Sequence, residues 1–394
     1  MDNFTETTTT GYGSNIMNSL KGIFFGLILL IGSITLLSWN EGRSVNQADA
    51  LKEMSGNIVT LPDTKYNVKY EGKPVLVQGI IKPISKLNDA LFGVKSDGLI
   101  LRRNVEMYQW KENKSSKSED KMGGSTETTT TYNYVKTWSN VDIDSSSFKH
   151  PEGHANPTML HTSHTFVSDA NIGDYYLSKS VVAHIYHFEP YMGLATMPDI
   201  VEEAKNLKRF LYIGEIPEAP KVGDMKISYE FAPGGTYTIA AESSNKALVS
   251  HATINERSFL FIRNGKIPAK QIFKEELESN SVLTWILRVV GLVMMFAAFS
   301  LMMGLFATLA KVIPFMGSLV GGATGIVAAV LTLILGSVII ALAWFASRPM
   351  LSLAIIGIGI ATAVGLAKFS QKKEAPVATP ETSSTVTPPE RNKD

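Results

Sequence analysis

Residues 22–45 read GIFFGLILLIGSITLLSWNEGRSV, an uncharged apolar run that ends in a polar and charged segment. The apolar part, residues 22–38, is at the short end of the roughly 17 to 25 residues that a membrane-spanning helix needs. A signal peptide is the alternative, but a mostly polar tail precedes the run and no A-x-A-like cleavage site follows it. Trp39 stands where an interfacial aromatic residue belongs. The stretch therefore predicts a retained N-terminal membrane anchor.

The last third of the chain holds three more apolar stretches. Residues 285–309 carry Arg288 as their one charge, and residues 319–346 and 350–367 carry none. Since backbone groups among lipid tails must be hydrogen-bonded within their own segment, we expect helices. Charged residues and prolines separate the stretches: Lys311, Pro314, Arg348 and Pro349. The sequence therefore predicts four membrane spans.

Four spans put both termini on one side of the membrane and residues 39–284 on the other. Positive charge in short loops marks the cytoplasmic side. Five lysines fall on the termini side: Lys21, Lys311, Lys368, Lys372 and Lys373. The short hairpin on the opposite side carries only Arg348. We therefore expect the tails, residues 1–21 and a disordered Pro/Thr-rich segment 368–394, in the cytoplasm. The large insert then faces the periplasm, the exterior or a lumen.

The insert alternates strand-like runs with turn signals, which is typical of a β-rich domain. The runs are residues 75–81, 99–110, 132–138, 210–214, 225–231, 236–242 and 258–262. Helical patterns occur at residues 46–54, 198–209 and 268–284, and the last continues into the second span. The polar, repetitive residues 115–131 indicate a hairpin loop or a disordered tip. We expect an α+β membrane protein whose mostly β extracytoplasmic domain lies between the first and second of four transmembrane helices.

Short motifs follow one another along the chain. The first is WNEGR at residues 39–43. Next come VEMYQW and a GHxNP stretch, with the motif residues Glu106, Met107, Tyr108, Gln109, Trp110, His154, Asn156 and Pro157. They are followed by VGD at residues 222–224, ELESNSVLTW at residues 276–285 and Arg-Pro at residues 348–349. With these landmarks in order over roughly residues 39–350, the chain resembles the LUMA family, also called the transmembrane protein 43 family.

The resemblance implies the same architecture of one N-terminal span, a large insert and three C-terminal spans. It also implies a membrane organiser that self-associates and binds other membrane proteins, placed in animals in the endoplasmic reticulum and inner nuclear membrane. The chain departs from the family in its Ser/Thr-rich tip and its Pro/Thr-rich tail, and it has no evident lamina-binding element. Nuclear-envelope partners are therefore not expected. Plain tails and the absence of cysteine favour a bacterial inner-membrane homologue.

Charged residues near the first and second spans allow two interpretations. Glu41 and Arg43 follow the first span, and Arg288 lies about one turn into the second. In one interpretation these charges stay in water as interfacial anchors, beside Trp39 and Trp285, and Arg288 snorkels to the headgroups. In the other, Arg288 pairs with Glu41 and fixes the base of the domain on the helices.

Glycines at helical spacing predict close helix packing. They are Gly22 and Gly26 in the first span, and Gly317, Gly321 and Gly325 ahead of and within the third. The pattern does not distinguish a partner helix in the same chain from one in another copy.

Four histidines, His150, His154, His161 and His164, invite a zinc hypothesis. Zinc would need neutral imidazoles on a rigid element with a fixed second shell, and prolines and a glycine interrupt this segment. We therefore expect no metal and no cofactor, with His154 hydrogen-bonding a turn instead.

The function classes that remain are few. Lys and Arg total 37 against 36 Asp and Glu, so nothing marks a nucleic-acid binder, and the chain has no cysteine for disulfides or thiol catalysis. No nucleophile, phosphate-loop, dinucleotide or zinc-protease motif occurs, so no catalytic residue is expected. The leading hypothesis is a non-enzymatic membrane scaffold that contacts the bilayer, forms a homo-oligomer and binds other membrane proteins. An oligomeric channel is the alternative, and a metal-containing membrane enzyme is third.

Overall fold

Helices flank the β-rich middle of the chain in the computed structural model, which describes residues 2–201, 203–345 and 349–371. The helices within these ranges are α1 Tyr12–Asn57, α2 Lys179–Val182, α3 Ala269–Ala310, α4 Pro314–Trp344 and α5 Pro349–Gln371. Of the described helices, α1, α3 and α4 are long and apolar enough to cross a membrane, while α5 contains the shorter apolar segment Gly357–Lys368. The prediction of one N-terminal and several C-terminal apolar helices around a β-rich insert is therefore confirmed in this coarser form.

The strands confirm every strand-like run that the sequence predicts. In chain order they are β1 Asp2–Thr10, β2 Val59–Thr60, β3 Pro74–Pro83, β4 Leu87–Asp89, β5 Val94–Ser96, β6 Ile100–Asp120, β7 Thr126–Ser139, β8 His164–Val167, β9 Ala170–Ile172, β10 Tyr175–Leu177, β11 Glu189–Pro190, β12 Ile200–Val201, β13 Ala204–Asn206, β14 Leu211–Ile213, β15 Met225–Ala232, β16 Gly235–Ser244, β17 Ala247–Val249, β18 His251–Ala252, β19 Ser258–Phe259 and β20 Phe261–Asn264.

Two sheets make up most of the domain. The larger has the order β1-β7-β6-β15-β14-β13-β12, and the other has the order β2-β3-β9-β10-β17-β16-β20 with an additional β3–β16 pairing. Each sheet contributes a cluster of buried apolar side chains. The cluster of the larger sheet includes Val105 and Ile227, and that of the other sheet includes Val77 and Ile239. Alternate residues of β6 and β15 point inward, which is the period-two pattern expected of strands with one buried face.

Helices α1 and α3 join the domain to the apolar region without a break. The predicted helical patterns at residues 46–54 and 268–284 are confirmed as the domain ends of these two helices. There Leu51 and Met54 pack with Ile272 and Phe273 against the second sheet. Because both helices continue from the apolar stretches into the core of the domain, they form a two-helix stalk, α1 and α3, that fixes the domain on the membrane helices.

Glycines account for the close approach of the stalk helices. A Cβ on Gly26 would lie 2.8 Å from the Ala298 carbonyl oxygen, and one on Gly22 would lie 3.6 Å from that of Leu301. Their predicted packing partner is therefore in the same chain. The second glycine series differs: an added Cβ on Gly321 would meet only Ala307 within 4 Å, at 3.8 Å, and one on Gly325 would meet nothing.

The helix predicted over residues 198–209 is wrong. Strands β12 and β13 pair antiparallel there, and β13 continues the ladder to β14. Ala204 and Asn206 turn inward while Lys205 stays exposed, and Lys208 has a φ of 68°, outside the helical region. Sheet pairing and a buried asparagine therefore override the helical pattern of the local sequence.

The hairpin predicted at residues 115–131 is present, but most of its residues belong to the paired strands and not to a loop or a disordered tip. Strands β6 and β7 pair as far as Asp120 and Thr126, so the tip is only the turn at residues 121–125. Hydroxyl groups bond across the ladder, from Ser116 to Thr130 at 3.0 Å and from Ser118 to Thr128 at 2.8 Å. Threonine is β-branched and favours strands, which explains why a segment this polar is regular.

The N-terminal tail contains strand β1, which pairs with β7 along its whole length. The turn of the β6–β7 hairpin also meets the far ends of the helices. Asn15 donates to the Gly124 carbonyl at 2.9 Å, and Lys311 lies 3.0 Å from Asp120. The sequence predicts residues 39–284 wholly on one side of the membrane. In the structure the tip of the hairpin lies beside the N-terminal tail, at the far ends of α1 and α3.

Candidate functional site at the base of the domain

A buried ion pair joins α1 to α3 where the apolar stretches end. Arg288 donates from Nε and Nη2 to the two carboxylate oxygens of Glu41, at 2.6 and 2.8 Å. Glu41 is fully buried and Arg288 is 7% exposed. A buried charge is tolerated when it is paired and hydrogen-bonded, and the bidentate geometry meets that condition. Of the two interpretations of Arg288, the structure therefore shows the pair with Glu41.

Aromatic rings from two helices surround this pair. The guanidinium carbon of Arg288 lies 4.7 Å from the ring centre of Trp285 and 5.4 Å from that of Trp344. Both distances are within the range of cation–π attraction. Since Trp344 belongs to α4, the ion pair contacts three helices. Trp39 and Trp285 each expose more than half of their surface.

Arg43 forms a second connection one turn further into the domain. It donates from Nη1 to the Asn280 side-chain oxygen and from Nη2 to the Thr284 hydroxyl, both at 2.9 Å. Asn40 donates to the Thr284 carbonyl at 3.0 Å. Desolvation and the nearby Arg257 lower the pKa of Arg43, while Glu41 raises it. The motifs at the first and second spans therefore bond directly to each other.

The sequence also predicts Arg348 and Pro349 as interface residues. Pro349 is the first residue of α5. Arg348 lies outside the described residues.

The other sequence motifs meet at a second place, on the larger sheet. Asn156 accepts from the Trp110 backbone N–H at 2.8 Å and donates to the Trp110 carbonyl at 2.9 Å and the Ile143 carbonyl at 3.1 Å. Gln109 is fully buried and accepts from the Ile143 N–H at 2.8 Å. The GHxNP stretch therefore holds the end of the VEMYQW strand in place.

The VGD turn closes the same cluster. The Tyr108 N–H donates to the Asp224 carbonyl at 2.8 Å, and the Gly223 N–H donates to the Tyr108 carbonyl at 2.9 Å. Gly223 has a φ of 102°, which favours glycine, and a Cβ there would approach Pro157 to 3.0 Å. Met107 is buried in the core of this sheet, and Glu106 pairs in register with Lys226.

The histidines do not converge. His154 Nδ1 lies 3.0 Å from the His150 carbonyl oxygen, so it hydrogen-bonds a turn as expected, and its ring stacks on Tyr134 with centres 4.0 Å apart. His161 instead pairs with Glu203 at 2.9 Å. Within the described residues, no group of three or more His, Cys, Asp or Glu side chains is placed to hold a metal ion.

One buried charge cluster of the domain is absent from the predictions made from the sequence. Arg103 donates from Nη1 to both carboxylate oxygens of Asp89, at 2.8 and 2.7 Å, and the Tyr229 hydroxyl donates to the same carboxylate at 2.7 Å. Burial and this hydrogen bond raise the pKa of Tyr229. The signal was available, because Arg103 occupies an inward position in the alternation of β6.

Comparison with known proteins agrees with the motifs. The model of the family described as Transmembrane protein 43 matches residues 107–349. The human Transmembrane protein 43 is 29% identical over 367 residues, which cover 89% of this chain and 90% of that protein. The rat protein is 29% identical over 361 residues, 88% and 89% of the two chains. The Drosophila melanogaster homologue is 30% identical over 282 residues, 69% and 74% of the two chains. No solved structure matches.

Proposed function

Because this chain belongs to the transmembrane protein 43 family and is an integral membrane protein, we propose that it is a non-enzymatic organiser of the membrane that self-associates and binds other membrane proteins or lipids. The observation that carries the proposal is the stalk: α1 and α3 continue from the apolar stretches into the β-rich domain. Glu41 and Arg288 fix the two helices to each other where the domain begins. A domain held rigidly at one height and orientation presents the same surface to every neighbour, as an organiser requires.

The proposed arrangement has four spans, with α5 as the fourth. Gly359 of α5 allows close contact with Ser337 of α4, which supports α5 as a member of the bundle. Both termini face the cytoplasm, as the lysines near them favour, and the body of domain 39–284 lies on the other side. We place the chain in a bacterial inner membrane. The tail beyond residue 371 lies outside the described residues.

Self-association has a candidate surface on α4. Gly321 and Gly325 lie one turn apart on a helix face where an added Cβ meets at most one atom within 4 Å. Small residues on an open helix face permit a second helix to approach closely. The proposal assigns this face to a second copy of the chain.

Two differently tagged copies, co-expressed and extracted together in native-lipid discs, test self-association. Capture of one tag should recover the other, and Gly325→Leu should reduce that recovery. The matched control is Gly357→Leu, since Gly357 on α5 is equally open. Recovery no higher than between separately expressed copies would refute self-association, and equal recovery from the two variants would refute the assigned face.

A second candidate function, an oligomeric channel, is favoured by the polar hairpin. From Trp110 to Asp120, β6 covers ~33 Å, about the same distance as α1 from Asn40 back to Asn15, ~37 Å. The hairpin and β1 therefore run at the depth of the apolar helices, although their side chains are mostly Ser, Thr, Lys and Glu. Strands with such side chains and an open edge are tolerated at that depth only inside protein or along a water-filled cavity. Several copies of the chain arranged around one water-filled passage would provide these surroundings.

The cysteine-free chain makes this second candidate easy to test. Thr7 and Thr129 are partners in the β1–β7 ladder. If the passage exists, Thr7→Cys/Thr129→Cys should form an intramolecular disulfide in native membranes, and liposomes with the protein should carry ions above empty controls. Thr7→Cys/Thr137→Cys, whose positions do not pair, is the control. A disulfide yield equal to the control, or no flux, would refute the channel.

A further inference from the structure

A cavity of about 250 Å³ lies beside the ion pair, between α1, α3 and α4. Basic, hydroxyl and aromatic side chains line it, including Ser44, Lys52, Ser281, Thr284, Arg288 and Trp344. We propose that this cavity binds the phosphate group of an anionic phospholipid. The inference rests on the proposed membrane placement, which puts the cavity at the level of the lipid headgroups, and it names the lipid class that the organiser recognises.

Arg288 retains a donor for such a ligand. Its Nε and Nη2 are committed to Glu41, whereas Nη1 has no hydrogen-bond partner among the described residues. The Arg288 side chain is 8% exposed and forms part of the cavity wall. A guanidinium held rigid by a carboxylate and two indole rings offers its free N–H group in a fixed direction, which suits a phosphate oxygen.

Lys52 supplies the second positive charge at the rim. Its ammonium group is 3.7 Å from Asp49, a long exposed contact that leaves it free to turn toward a ligand. Among the described residues that line the cavity, none is acidic, and Glu41 is not part of the lining. The described lining residues therefore offer positive charge and hydrogen-bond donors to an anion and include no carboxylate that would repel it. The Ser281 hydroxyl has no hydrogen-bond partner among the described residues and adds a neutral donor.

The surroundings of the cavity favour a lipid over a free phosphate ion. Trp285 lines the cavity. On α3 it also forms an exposed apolar surface together with Ile286 and Val289. Acyl chains attached to a bound phosphate would lie along that surface. A free ion would make no use of it.

The test uses the full-length protein and native mass spectrometry with phosphatidylglycerol, phosphatidylcholine or inorganic phosphate. Phosphatidylglycerol should bind in preference to phosphatidylcholine, and Lys52→Gln should weaken its binding about fivefold. Lys270→Gln, which removes an exposed lysine of α3 outside this cavity, should leave binding unchanged. Equal binding of the two lipids, or equal effects of the two variants, would overturn the proposal. Displacement of the lipid by equimolar inorganic phosphate would overturn the lipid assignment.

A second readout separates this proposal from the membrane placement beneath it. Brominated lipids in the same samples should quench tryptophan fluorescence, because Trp39 and Trp285 are exposed at the proposed headgroup level. Absence of quenching would refute the placement. Quenching without a preference for phosphatidylglycerol would refute the phosphate site alone.

Discussion

At the scale of single residues, Glu41 and Arg288 form a buried ion pair in which each charge is tolerated only because the other is present. The sequence suggested the pair as one of two possibilities, because a charge one turn inside a span needs a partner or a route to water. It did not show that the helix register would place Arg288 opposite Glu41. That register depends on the close contact at Gly26, which is a tertiary feature.

Removing one member of the pair should be far more harmful than removing both. Glu41→Gln leaves Arg288 charged and nearly solvent-free, so we expect a loss of about 3 to 5 kcal/mol in the free energy of unfolding. Glu41→Leu/Arg288→Met replaces the pair with apolar side chains and should be close to the parent protein. Unfolding measured in lipid discs checks both variants, and equal destabilisation of the single and double variants would contradict this account.

Asn156 is the residue on which the motif cluster of the larger sheet depends. Asn156→Ala would leave the Trp110 N–H and the Ile143 carbonyl without these bonds, so we expect a loss of about 1 to 3 kcal/mol. Asn113→Ala, at an exposed position of the hairpin, should change stability by less than about 0.5 kcal/mol. Thermal unfolding of both variants checks this, and an equal effect would mean that the motif does not stabilise the sheet.

Tyr229 should make stability depend on pH in the alkaline range. Its pKa is raised in the folded protein, whereas an unfolded tyrosine ionises near pH ~10. The folded state therefore holds a proton that the unfolded state loses, so stability is complete below pH ~10 and falls as the pH rises further. Tyr229→Phe should make this fall shallower in unfolding curves recorded from pH 8 to pH 11. An unchanged slope would mean that Tyr229 ionises as freely in the fold as in the unfolded chain.

At the scale of helices and strands, the sequence predicts those elements whose conformation is decided by the local pattern of residues. Strand β15 and the inward side of β6 follow from period-two alternation alone. The apolar helices follow from length and the absence of charge. Residues 198–209 are not predictable in this way, because pairing with β14 decides their conformation and that pairing is not visible in the local pattern. The same holds for strand β1, whose partner strand is more than a hundred residues away in the sequence.

The stalk helices give a prediction at this scale. Gly26→Ala places a methyl group against the Ala298 carbonyl of α3. Because that oxygen belongs to the backbone and cannot move aside, we expect a loss of about 1 to 3 kcal/mol in the free energy of unfolding. Gly32→Ala is the control, because a Cβ there meets only the end of Met294 at 3.8 Å. Thermal unfolding in lipid discs compares the two. If Gly26→Ala were as stable as Gly32→Ala, close packing of α1 on α3 would not hold the stalk together.

At the scale of the whole molecule, two features lead to the same requirement. In the proposed membrane placement, the open glycine face of α4 would contact lipid and the polar hairpin would run at the depth of the apolar helices. Additional copies would cover the first and enclose the second. The sequence indicated the glycines, but the hairpin's position follows only from tertiary contacts at its tip, between Asn15 and Gly124 and between Lys311 and Asp120.

The most direct test is the mass of the particle extracted from its own membrane in a native-lipid disc, without detergent. The account predicts a defined multiple of the 43.0 kDa chain, or the chain together with another membrane protein. A disc that contains one chain and no other protein would contradict the central claim that this protein organises membranes by associating with itself and with its neighbours.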